Sequence, residues 1–334
     1  MRPITFPTAA LFAFALLFAV VGCQEPPTEQ EKKLLALHEA PKTDLEKLKA
    51  AAAEEGKKLN AGDTNIALTA TVELATAYEK GDEELGLEVD FYRAAVLYKR
   101  AATNGHARAQ NRIGVMFEIG QGLNIVRNYA KAVEWYTMSA KQGYRNAEAN
   151  LGFMYESGRG IDQDHVKAAE WYRKAAEKGE PFSQFHLGLL YEQGRGVPQN
   201  LGEAARWIER AAENGLSAAQ FKMATMYKEG QGVEKDAITA MRWYERAARQ
   251  GHNMAQIQMA LIYFAGKDVT KDHVEAYKWL NIAAAEDDRD AKRYRRLVAD
   301  EMTAEQIDFA QKRASEFSPE ISELDPARDA DMPR

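Results

Sequence analysis

Five tryptophans occur in this 334-residue chain, and Trp135, Trp171, Trp207, Trp243 and Trp279 each stand 36 residues from the next. A spacing that regular requires one local structure to be built over and over, with each copy buried against its neighbours. The unit is clearest over residues 147–179. There Ala147, Leu151, Met154 and Tyr155 recur at i, i+4, i+7 and i+8, one face of a helix. Gly158-Arg159-Gly160 then stops that helix, because glycine adopts the positive φ of a helix C-terminus at little cost. Ala168, Trp171, Tyr172, Ala175 and Ala176 occupy one face of a second helix, which Gly179 closes.

The same punctuation returns along the chain. Closing glycines stand at Gly105, Gly143, Gly179, Gly215 and Gly251, and Gly-x-Gly turns at Gly120/Gly122, Gly158/Gly160, Gly194/Gly196 and Gly230/Gly232. The pattern predicts an all-α fold: a right-handed α-solenoid of helix-turn-helix repeats. Five clear repeats are expected over about 106–143, 144–179, 180–215, 216–251 and 252–287. A degenerate one over 64–105 precedes them. The last repeat replaces its turn with Gly266-Lys267-Asp268 and its closing glycine with Asp287. A helix pair cannot bury its apolar face alone, so the repeated residues read as architecture. The Trp register fits a large ring between adjacent repeats, and truncating a buried one should cost about 3–5 kcal/mol. The double alanines, and Gly152 and Gly188 within first helices, let helices approach closely.

This spacing, with Ala147, Leu151, Gly152, Tyr155, Gly158, Gly160, Lys167, Ala168, Trp171, Tyr172, Ala175, Ala176 and Gly179 as its cleanest set, resembles the Sel-one-like repeat, a relative of the tetratricopeptide repeat. The resemblance implies an adaptor or assembly surface. It covers about 107–287 well and 64–105 weakly.

Outside the array the chain reads as a series of shorter segments. Met1-Arg2 and the apolar run over residues 9–21 have the form of a secretory signal, too short for a comfortable membrane span. The run ends at Gly22-Cys23, which resembles a bacterial lipobox, so residues 1–22 read as a lipoprotein signal peptide and Cys23 as the lipidated mature N-terminus. The alternative is a plain signal peptide that leaves a stray cysteine near the cut. Gln24 after the cysteine implies the outer membrane, facing the periplasm. Residues 23–42 form a tether, 43–63 an N-terminal capping helix, 64–288 the array, 289–316 a C-terminal cap and 317–334 a disordered tail. Cys23 is the only cysteine, and the formal net charge of −6 argues against a nucleic-acid partner.

Chemistry is hard to find. Gly-x-Ser-x-Gly, Ser-x-x-Lys, His-Glu-x-x-His and Gly-x-Gly-x-x-Gly are all missing from the sequence. The histidines share repeat phases several repeats apart, which does not suit a metal. The reading is a non-enzyme without cofactor or metal.

What varies between repeats is therefore informative. In the first helices the phases of Asn146, Ala149 and Phe153 become apolar in later repeats, while the Asn150 phase stays polar: Arg112, Asn150, His186, Lys222 and Gln258. The expected partner site is a groove on the concave side, formed by Phe182, Phe185, Leu189, Phe221 and Ile257 with His186, Lys222 and Gln258 as polar contacts. The function expected is a lipid-anchored periplasmic scaffold for other envelope proteins. A module for a small molecule or cell-wall glycan is the alternative, and a hydrolase a distant third.

Overall fold

The computed structural model describes residues 72, 75–81, 88–121 and 126–320, the side chain of Glu286 excepted. The signal peptide, Cys23, the tether, the helix expected over 43–63, Gly122 and the chain after Glu320 lie outside the described residues. The described residues divide into two compact units. The first runs to Met154 and includes Gly158–Asp162; the second holds Tyr155–Ser157 and the chain from Gln163 on.

Every regular element among the described residues is helical. The first unit contains α1 (Phe91–Thr103), α2 (Ala107–Ile119), α3 (Tyr129–Ala140) and most of α4 (Arg145–Ser157). The second contains α5 (His165–Glu177), α6 (Pro181–Gln193), α7 (Leu201–Glu213), α8 (Ser217–Glu229), α9 (Ala237–Arg249), α10 (Asn253–Ala265), α11 (His273–Ala283), α12 (Arg289–Ala299) and α13 (Ala304–Ser315). Within each unit a helix packs on the next in sequence, the contact pattern of an α-solenoid. In the repeat expected to be degenerate, α1 is regular and buries Ala94, Ala95, Tyr98, Ala101 and Ala102.

The sequence starts each second helix with one Asx residue per repeat. Asn128, Asp164, Asn200, Asp236 and Asp272 accept backbone N–H groups of the first turns of α3, α5, α7, α9 and α11. First helices end on a left-handed glycine: Gly120, Gly158, Gly194, Gly230 and Gly266. The second glycine of each turn has a different reason to be glycine. A Cβ on Gly196 would lie 2.1 Å from the carbonyl oxygen of His165, at the first residue of α5, and one on Gly232 the same distance from that of Leu201 on α7. Gly160 meets the Tyr129 carbonyl in the same way within the first unit. The turn is thus a backbone-to-backbone contact with the preceding second helix.

The core differs from the expectation in one respect. The fully buried large rings are the tyrosines that follow the tryptophans, namely Tyr98 in the Leu-Tyr version, Tyr136, Tyr172 and Tyr244. Ile208 and Leu280 fill the same slot elsewhere. Trp135, Trp171 and Trp207 are only half-buried, whereas Trp243 and Trp279 are buried. A cation one helical turn along covers several of these indoles: Lys174 stands over Trp171 at 3.8 Å, Arg210 over Trp207 and Arg246 over Trp243 at 4.7 Å. The tyrosine slot needs a small residue opposite. A Cβ on Gly188 would meet Ile208 at 2.5 Å, and one on Gly114 would meet the Tyr136 ring at the same distance.

The C-terminal cap forms as expected. Thr303 and Gln306 make a reciprocal capping box at the start of α13, and Ala291, Val298 and Ala310 close the core of the second unit. The tail, expected to be disordered from residue 317, is not so at its start. Residues 317–320 lie back along the second helices: Phe317 meets Trp279 edge-on at 5.6 Å, and the Glu320 N–H donates to the Arg249 carbonyl at 2.8 Å.

Candidate functional site: the first-helix face

Three first helices of the second unit, α6, α8 and α10, carry all eight residues expected at the partner site. The structure divides them into three groups. Phe182, Phe185, Leu189 and Phe221 are half-buried. Phe185 and Phe221 pack partly against the main core cluster, whereas Phe182 lies on His186 with ring centroids 4.1 Å apart. Ile257 is 3% exposed and belongs to the core. That corrects its place in the groove: an isoleucine with no surface has nothing to offer a partner. Met254, in the phase of Phe182, is 49% exposed and stands on the face instead.

The polar trio is the second correction, because all three side chains are engaged by the neighbouring repeat. His186 Nδ1 is 2.8 Å from Glu156 Oε2, Lys222 Nζ is 2.6 Å from Glu192 Oε1, and Lys228 Nζ donates to Gln258 Oε1 at 3.1 Å. Glu156, Glu192 and Lys228 share one repeat phase, so within the second unit these three pairs form a ladder of successive rungs. The rung reverses polarity at Lys228/Gln258, where the acid is replaced by a base and the partner turns acceptor. Within the first unit the rung is Glu79 with Arg112, at 3.0 Å to Nε, in a largely buried ion pair.

Tyrosines complete the ladder. The hydroxyls of Tyr98, Tyr136 and Tyr172 donate to Glu79, Glu118 and Glu156 at 3.0, 2.7 and 2.7 Å. A buried phenol needs a partner and a buried carboxylate needs donors, so one contact answers both needs. Burial raises the Glu118 pKa, with Tyr136 and the nearby Arg159 acting against it. Burial would raise that of Glu156 too, but the hydrogen bond and charge of His186, with the Tyr172 hydroxyl, bring it below the usual value. Burial pushes the Tyr172 phenol well up, and the Glu156 charge acts in the same direction. Where Ile208 replaces the tyrosine, Glu192 pairs with Lys222; the Tyr244 hydroxyl lies 3.3 Å from that of Thr225.

A second polar row escaped the sequence reading. Gln184, Gln220 and Gln256 are buried and donate to the carbonyls of Ala176, Ala212 and Ala248, the second alanine of each pair. Asn214 and Gln250 in turn donate to the oxygens of Gln184 and Gln220. The signal was available, since a glutamine recurs 36 residues apart, but it hid beside the more obvious alanines. Among the described residues no three His, Cys, Asp or Glu side chains are grouped to hold a metal. No helix there is long and apolar enough to cross a membrane. With its polar members satisfied internally, what the face presents is the half-buried Phe182, Phe185, Leu189 and Phe221 and the exposed Met254.

A family model described as the Sel1 repeat matches residues 69–106, 107–144, 145–180, 181–216, 217–252 and 253–288, well over half of the chain. The chain belongs to the Sel1 repeat family. The six matches add the repeat over 69–106 in full. A solved Sel1 repeat protein from Oxalobacter formigenes is similar, at 28% identity and TM-score 0.61, covering 74% of this chain and 96% of its own. A protective antigen of uropathogenic Escherichia coli displaying an SLR fold matches at 27% identity and TM-score 0.48, over 81% of this chain and 64% of that one. An immunity protein of Pseudomonas aeruginosa matches at 20% identity and TM-score 0.43, over 70% and 86%. No curated protein matches the chain. Sel1 repeat proteins are in general protein-interaction scaffolds.

Proposed function

We propose that this Sel1 repeat protein is a lipid-anchored scaffold of the bacterial envelope, held at the outer membrane through Cys23 and facing the periplasm. It binds another envelope protein on the first-helix face of its later repeats, and it has no catalytic role. The observation that carries the reading is the division of labour on that face. Its charged side chains pair across repeat interfaces, leaving an apolar strip from Phe182 to Met254 with rigid backing. Aromatic and aliphatic anchors over fixed helices give a partner contact area at little ordering cost. The lipobox-like sequence at Cys23 supports the anchor.

The test is affinity capture from gently solubilised envelopes, wild type beside Leu189→Asp/Met254→Asp. A stoichiometric protein captured by wild type and lost from the folded variant is the expected result. Equal capture by both would move the site off this face. Cys23→Ser should leave the membrane fraction; unchanged membrane association would overturn the anchor.

A further inference from the structure

Each clear repeat closes on a residue followed by glycine, and in two places along the chain that residue is asparagine. Asn104-Gly105 and Asn214-Gly215 are the only Asn-Gly pairs in the sequence. In such a pair the side-chain amide is open to attack by the next backbone nitrogen, because glycine has no side chain to block the approach. The other closing positions hold Gln142, Lys178 and Gln250. A glutamine would have to close a larger ring, which is slower, and lysine has no amide to attack.

Asn214 caps α7 and belongs to the row of amides that joins neighbouring helices. Its Nδ2 donates to Gln184 Oε1 on α6 at 2.9 Å, as Gln250 donates to Gln220 at 3.1 Å in the next repeat. Gln184 cannot turn its amide over to suit a different neighbour, since its Nε2 is committed to the Ala176 carbonyl at 3.1 Å. A carboxylate at 214 would therefore set oxygen against oxygen. It would also stand at the C-terminal end of α7, where the helix dipole disfavours negative charge. That end already carries acid: burial raises the Glu209 pKa, and the charge of Glu213 adds to it. Asn104 differs. It is exposed, and its Nδ2 turns back to the Arg100 carbonyl of its own helix at 2.9 Å.

We propose that Asn214 is a site of spontaneous deamidation, gated by its bond to Gln184, and that conversion there breaks the tie between α6 and α7. The Gly215 nitrogen gives its proton to solvent base and attacks Asn214 Cγ. The N–Cγ bond forms, the Cγ–Nδ2 bond breaks, and Nδ2 takes up a proton and leaves as ammonia. Water then opens the succinimide at either carbonyl, giving aspartate or isoaspartate. The closed fold blocks the first step. The Gly215 N–H donates to the Ala212 carbonyl at 3.1 Å, and the Asn214 amide is held by Gln184. Attack thus waits for local opening at the end of α7. The isoaspartate route also adds a backbone carbon just ahead of Gly215, whose φ of +89° sets the turn into α8. The inference rests on the amide row and is independent of what the first-helix face binds.

The experiment incubates the full chain in mildly alkaline buffer and follows aspartyl and isoaspartyl products by peptide mapping. In concentrated urea Asn104 and Asn214 should convert at one rate; in the folded chain Asn104 should convert faster. Gln184→Ala should raise the Asn214 rate roughly fivefold, the factor that loss of one net hydrogen bond confers, and leave Asn104 unchanged. Asn214→Gln places there the residue that Gln250 supplies one repeat on, so it should keep both the wild-type urea midpoint and that midpoint after incubation. Wild type should lose stability in step with conversion at 214, and Asn214→Asp should start from a lowered midpoint. Folded Asn214 converting as fast as Asn104 would overturn the proposal, as would an unchanged Asn214 rate in Gln184→Ala of native helicity. So would an Asn214 that converts in urea and never in the folded chain, or an Asn214→Asp chain as stable as wild type.

Discussion

The Nδ1 of His186 stands 2.8 Å from Oε2 of Glu156, thirty residues earlier, and that same oxygen accepts the Tyr172 hydroxyl at 2.7 Å. One carboxylate of the second unit therefore holds a side chain of α5 and one of α6 together, and its energetics can be read through pH.

Glu156→Gln keeps the shape and removes the charge. At neutral pH it should cost about 1–3 kcal/mol, the value of hydrogen bonds to an ionised group, measured as a fall in urea midpoint at unchanged slope. The Glu156 pKa is lowered in the fold, so its contribution is present in full above the ordinary carboxylate value of 4.5 and is lost as pH falls through the lowered one. The gap between wild type and variant should accordingly close in acid. A gap that persists unchanged below that range would mean the charge is not what holds the rung.

Histidines at two helix starts give the opposite limb. His106 and His252 accept the N–H groups of Ala109 and Ala255 on Nδ1, at 3.4 and 3.3 Å, which only a neutral ring can do. Burial lowers both pKa values, helped at His106 by Arg108, while His252 also stacks on Phe221 at 4.7 Å. The fold thus binds these protons less well than the unfolded chain. Their contribution is complete above the unfolded value of 6.5 and is lost as pH falls from there through the lowered value. His252→Asn retains a capping oxygen without titration. Between pH 7.5 and 5 it should lose less stability than wild type, by parallel urea titrations.

Two glycines separate conformation from contact. Gly179 has φ +81° with open space where a Cβ would go, so Gly179→Ala should cost about 1–2 kcal/mol, the left-handed penalty alone. Gly196 has φ +67° and a backbone carbonyl 2.1 Å from that Cβ position. Gly196→Ala must also push α5 away and should cost about 3–5 kcal/mol. Similar melting shifts for the two would show that the turn does not depend on close approach.

Much of this fold is legible in the sequence because a repeat states each rule several times. The Trp register, closing glycines and Gly-x-Gly turns place every helix pair of the clear repeats, and Thr303 with Gln306 announces the last helix. Which ring is buried deepest is not legible, since adjacent Trp171 and Tyr172 are both large and apolar and only the helix crossing decides between them. The candidate site is legible as a face, not as a list. Ile257 and Phe185 occupy the same phase, yet one is core and the other half-buried. His186 and Lys222 look like ligands for a partner until Glu156 and Glu192 are aligned with them in pairs, a comparison between phases rather than within one. Residues 317–320 look like a tail because their anchors, Trp279 and Arg249, lie far back in the chain.

Phe185 and Leu189 now separate what the sequence left joined. Both share the first-helix face, and if Phe185 only lined a groove, Phe185→Asp would leave the melting temperature nearly unchanged. In the structure Phe185 packs against the main core cluster and meets His186 edge-on at 5.9 Å, whereas Leu189 is outside that cluster. An aspartate at 185 would strand a charge beside the Glu156–His186 rung and lose ring packing, so about 2–4 kcal/mol should go. Leu189→Asp and Met254→Asp remove apolar surface outside the main core, at one half-buried and one exposed position, and should each cost under about 1.5 kcal/mol. Thermal melts of the three single variants decide the ordering. If Leu189→Asp proves as damaging as Phe185→Asp, the strip is core throughout, and the first-helix face offers a partner only Met254. If the ordering holds, loss of partner capture by Leu189→Asp/Met254→Asp cannot be ascribed to unfolding, and the apolar strip is the surface that binds.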